Sequence, residues 1–115
     1  MAVFLNLMTN LMDLAKKFDK ELRRMVERVI SETGYRPERF IQMLNEHGGF
    51  QTAKILLHDK KLSEGFVKLW ELGRLDLTME AIILKKSWRE LFAEEELKIA
   101  KKRLIDLGYT LPEPS

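Results

Sequence analysis

Cysteine is absent from the 115-residue chain, and with it go disulfide frameworks, thiolate metal sites and cysteine nucleophiles. Histidine is almost as scarce: His47 and His58 are too few for a site built on several imidazoles, and their separation matches none of the usual zinc-ligand spacings. No apolar run reaches the about 18 uninterrupted residues of a membrane span. The nearest, from Met1 to Ala15, is broken by Asn6, Thr9, Asn10 and Asp13. The first basic residue is Lys16, after the apolar part, so a secretory signal is not expected and the chain is read as cytoplasmic. Blocks of like charge are missing too. Twenty Lys and Arg are interleaved with eighteen Asp and Glu for a net charge of +2, which permits nucleic-acid binding without indicating it.

What the chain does have is helical periodicity. Phe4, Met8, Leu11, Ala15, Phe18, Leu22, Met25 and Val29 recur in alternating steps of four and three, a heptad seam that Leu7, Leu14, Val26 and Ile30 widen. Acid-before-base pairs at Asp13/Lys17 and Asp19/Arg23 support one long helix over about 4–33, with Gly34 as its stop. Pro37 opens a second helix, which Gly48-Gly49 ends; a third carries Ala53, Ile55, Leu56 and Leu57. Ser63 is positioned to cap a fourth, with Phe66, Val67, Leu69, Trp70 and Leu72 as its packing residues. Thr78 precedes the apolar run Ala81 to Leu84, which reads as a further helix or a lone strand. Glu94 to Leu107 forms the last helix, acidic at its start and basic towards its end. The three prolines and six glycines fall nearly all at these boundaries. The expected architecture is all-α: a single compact bundle of five to seven helices forming one domain, with a long N-terminal helix (1–33), a compact body (34–109) and a tail (110–115).

The stretches GYRPERFIQMLNEHGG, GFVKLWELGRLDLTMEAIIL and ELFAEEELKIAKKRLIDLGY lie between Gly34 and Tyr109. Together they resemble a bacterial helical domain of unassigned function, and the likeness spans about two-thirds of the chain. It implies an accessory or stand-alone helical module and brings no catalytic residue with it. The pattern favours Ser or Thr before the acids of the last helix, where this chain has Ala93, so that helix lacks a capping side chain.

Chemistry-bearing residues are few. His47 beside Glu46 and two glycines suits a helix end, and no nucleophile accompanies it. Glu71, Arg74 and Asp76 around Gly73 form a carboxylate–guanidinium group that fits a structural turn. Gly48, Gly49, Gly65 and Gly73 form no phosphate-binding fingerprint, so no enzyme class, cofactor, metal or small-molecule substrate is expected. Trp70, Trp88, Phe66 and Phe92 are spaced as core residues.

Lys16, Lys20 and Arg24 on the first helix, with Lys98 and Lys102 on the last, are candidate phosphate contacts and give the alternative reading of a nucleic-acid-binding accessory protein. The leading expectation rests on the N-terminus. There Val3, Phe4, Leu5, Leu7, Met8, Leu11, Met12 and Leu14 nearly encircle a helix of roughly 45 Å, longer than the roughly 30 Å breadth of a domain this size. Phe4, Leu7, Met8, Leu11, Met12, Ala15 and Phe18 are therefore the expected interface. It would serve a homodimer or a partner protein in a non-enzymatic interaction or oligomerisation module.

Overall fold

A computed structural model describes residues 2–112, so Glu113, Pro114 and Ser115 of the expected tail lie outside the described residues. The fold is all-α: α1 (Ala2–Thr33), α2 (Glu38–His58), α3 (Glu64–Glu71), α4 (Met79–Ile83) and α5 (Glu94–Asp106), with 3-10 turns at Leu75–Leu77 and Lys86–Leu91. No strand occurs among the described residues, and the run at 81–84 is helical. Local signals set most boundaries. Ser63 Oγ accepts from the Phe66 N–H at 3.1 Å and Thr78 Oγ1 from the Ala81 N–H at 3.2 Å, capping α3 and α4 as expected. Ala93 supplies no such bond, and α5 nevertheless starts at Glu94 because the Glu96 carboxylate reaches back to the Ala93 N–H at 2.8 Å.

Packing centres on α1. Phe18, Leu22, Met25, Val26 and Val29 are buried, and the Phe18 ring meets Trp88 and Phe92 edge-on at centroid distances of 5.6 and 5.4 Å. The body expected from residues 34–109 thus includes residues 14–30 of α1 as its central rod, with Leu14, Ala15 and Ile30 packed against the same core. A smaller cluster of Phe66, Leu75 and Leu104, flanked by Tyr109 and Leu111, closes the far end.

One expectation is corrected at α3. Trp70, placed inside by its spacing, is 45% exposed, and Leu72 is exposed with it. The eight-residue α3 packs chiefly on the 75–77 turn, so only Phe66 and Leu69 find cover. The break expected at Gly48-Gly49 is present: Gly48 leaves the helical conformation with φ 78° and ψ 170°, which suit glycine, so α2 consists of two helical halves that meet at a kink.

That bend decides what α1 shows to solvent. The first half of α2 runs antiparallel to α1: Arg23 of α1 donates to the Leu44 carbonyl and Asn45 Oδ1, and Asp19 Oδ1 accepts the Gly49 N–H at 2.7 Å. A straight continuation would carry residues 50–58 along the N-terminal turns of α1. Instead they turn onto α5, where Lys54 and His58 meet Glu96 and where Arg103 binds the carbonyls of Leu56, Leu57 and Asp59.

Candidate interaction surface

At 1.5 Å per residue the 32 residues of α1 span about 48 Å. This matches the longest dimension of a molecule measuring 49 × 29 × 27 Å. With α2 bent away, the first three turns stand clear of the body. Every residue from Ala2 to Asn10 is exposed, and so is Met12. Val3 is 82%, Phe4 63%, Leu5 59%, Leu7 56%, Met8 46% and Met12 60% accessible, a contiguous apolar surface of a kind that folded chains cover.

Of the expected interface, Phe4, Leu7, Met8 and Met12 are exposed and Leu11 is half-buried. Ala15 is half-buried against the core, where the body begins to cover the seam. Phe18 is a correction: it is wholly buried between the rings of Trp88 and Phe92 and belongs to the monomer's own core. The seam is one continuous line in sequence, and tertiary contacts alone divide it into a core half and an open half.

Lys16, Lys20, Arg24, Lys98 and Lys102 are all exposed. Arg24 lies 3.5 Å from Glu21 and Lys102 2.7 Å from Asp106, so part of this charge is paired locally. α1 packs mainly on α2 and the 86–91 turn, and α5 on α4 and α2, so the two basic faces do not share a principal helix pairing. The Asp19–Arg23 ion pair forms at 2.9 Å, whereas Asp13 and Lys17 make none among the described residues.

The turn around Gly73 is pinned, with one change of membership. Arg74 donates to Asp76 at 3.0 Å and to Glu32 of α1 at 2.8 Å, while Glu71 takes no part in the group. Hydrogen bonds from Arg28 and Arg74 hold the Glu32 carboxyl below the usual carboxylate range, and Arg74 does the same to Asp76. His47 is exposed with its Nε2 3.8 Å from Glu46, too far for a hydrogen bond. It borders a cleft of about 1000 Å³ between α1, α2 and α3 that neither Glu71 nor Asp76 lines. Among the described residues no His, Cys, Asp and Glu cluster could hold a metal ion, and no helix is long and apolar enough to cross a membrane.

Two buried acids escaped the sequence reading. Glu96, 3% exposed, accepts from Lys54 at 2.5 Å and lies 2.7 Å from His58 Nε2, while the Lys54 ammonium sits 5.1 Å from the Phe50 ring centre. Burial pushes its carboxyl up, and the bonds from Lys54, the Ala93 N–H and His58 outweigh burial and leave it below the ordinary value. A depressed folded value contributes stability above the unfolded pKa and loses it as pH falls through the folded one. Glu96→Gln is therefore expected to cost about 2 kcal/mol at neutral pH. Urea melts at successive pH values should show that deficit shrinking in acid, and a constant deficit would refute the assignment.

Glu80 is the second, 2% exposed and bonded to Arg103 at 3.1 Å. Its position inside the apolar run 79–84 was the available signal. The chain matches no protein-family model, no curated protein and no solved structure.

Proposed function

We propose that this protein is a non-enzymatic helical interaction module whose N-terminal helix is its docking element, with residues 14–112 as the folded body that presents it. The observation that carries this reading is the open apolar surface of Val3, Phe4, Leu5, Leu7, Met8 and Met12 on a rigid helix anchored at Phe18. Surface of this kind is costly to leave in water, at about 25 cal/mol per Å², and a helix held rigidly by its own core loses little conformational freedom on docking.

The double substitution Leu7→Glu with Leu11→Glu tests it. Assembly, read as solution mass or as co-purification of a partner against the unsubstituted chain, should be lost. The melting temperature should stay within a few degrees, because Leu7 is exposed and Leu11 lies outside the buried core. Assembly that survives both charges refutes the docking role.

A further inference from the structure

We propose that the occupant of this surface is a second copy of the same chain, whose N-terminal helix lies antiparallel to the first in a reversible two-fold dimer. The inference rests on the docking role given above to that helix. Phe4, Met8, Leu11 and Ala15 alternate in steps of four and three, and in an antiparallel pair such steps run in opposite senses. Phe4 then lies over the partner's Ala15 and Met8 against the partner's Leu11, each layer repeated by the two-fold axis. The largest side chain of the seam meets the smallest. The paired stretch runs from Phe4 to Ala15, where the body begins to cover α1, and antiparallel pairing sends the two bodies to opposite ends.

Charge favours the same occupant, and area sets the strength of the pairing. Residues 2–12 carry no ionisable side chain, and the polar Asn6, Thr9, Asn10 and Asp13 share the side away from the seam. Self-pairing thus buries no like charges, and a foreign partner that selects by charge has nothing to read there. Large side chains present on the order of 150–200 Å² each. Four of them flank the seam, Phe4, Leu7, Met8 and Met12, and at 46–63% exposure they offer on the order of 400 Å² per copy. Two copies then bury about 800 Å², below the size of a stable specific interface, which fits a weak dimer that dissociates on dilution.

The absence of cysteine makes the test direct, because an introduced thiol is the only one in the chain. Light scattering of the full chain over a concentration series should show the mass rising from 13.6 kDa towards twice that value. Phe4→Cys and Ala15→Cys, mixed and mildly oxidised, should form a covalent dimer at least several-fold faster than either variant alone. Two copies of position 4 lie eleven residues apart along the axis, about 16 Å, well beyond the about 7 Å a disulfide spans. If Ala15→Cys disturbs the body, Met8→Cys with Leu11→Cys repeats the comparison on the open turns.

Rapid self-crosslinking of Phe4→Cys means parallel pairing and overturns the proposal. A monomeric mass throughout also overturns it. In that case a partner protein whose capture is abolished by Leu7→Glu with Leu11→Glu would leave the docking role standing, and capture insensitive to those charges would remove both.

Discussion

Replacing Arg103 with methionine is expected to cost about 3–5 kcal/mol, a large part of the stability of a single small domain. The guanidinium is one-tenth exposed and serves three elements at once. Nη1 donates to Glu80 Oε2 of α4 and to the Leu56 carbonyl, each at 3.1 Å, while Nη2 donates to the carbonyls of Leu57 at 3.2 Å and Asp59 at 2.7 Å. Those carbonyls lie at the end of α2, where helical N–H partners run out, and apart from Arg103 the Leu56 carbonyl meets only the Asp59 N–H at 3.4 Å. Methionine fills the space but takes the side-chain donor away from all three carbonyls and strands a carboxylate that is 3% exposed.

The pH dependence identifies the cause. Burial pushes the Glu80 carboxyl up, and Arg103 opposes that push. A raised folded value gives stability that is present below the unfolded pKa and lost as pH rises through the folded one. Without Arg103 only the backbone hydrogen bond still opposes the upward push, so the variant should recover stability on acidification from neutral pH to roughly pH 5. Changing Glu80 to methionine as well should restore part of the loss at neutral pH, since the orphaned charge is gone. Urea melts of the single and double variants decide it: an Arg103→Met chain within about 1 kcal/mol of the parent would show that the pair is dispensable.

The contrast between Arg103 and Ser63 shows what the sequence could and could not disclose. Ser63, Thr78, Gly34 and Gly108 act on neighbours within a turn, so their roles follow from local stereochemistry, and the element boundaries came out close. Arg103 and Glu80 are partners 23 residues apart, and Lys54 and Glu96 are 42 apart; nothing in the spacing of either residue names the other. The same limit explains Phe18. Periodicity established that Phe4 through Val29 share one face of a helix, and it could not say that the face is covered only from residue 14 onward. The bend at Gly48 makes that division. Trp70 failed for a related reason: burial of an aromatic depends on a neighbour, and an eight-residue helix packed chiefly on a single turn has too few.

Gly49→Ala is expected to lower stability by about 3–5 kcal/mol, since overpacking against backbone and loss of a charge-assisted hydrogen bond act together. An added Cβ would stand 2.7 Å from Asp19 Cα and 3.3 Å from its N and Cβ. The obstacle is backbone, so no side chain can swing aside and α1 and α2 must separate. Separation breaks the 2.7 Å bond from the Gly49 N–H to Asp19, and Asp19 also anchors Arg23, which in turn holds the end of the first half of α2 through Leu44 and Asn45. Gly65→Ala is the matched comparison. Its Cβ meets nothing within 4 Å and its residue is helical, so alanine there should be neutral or stabilising by up to about 1 kcal/mol. If the two variants melt alike, steric closeness at the α1–α2 crossing is not what requires glycine at position 49. If they diverge as expected, the crossing is what fixes the path of α2 just before it bends away. The contact at residues 19 and 49 lies outside the apolar surface of the first three turns, so those turns should stay exposed for as long as the body stays folded.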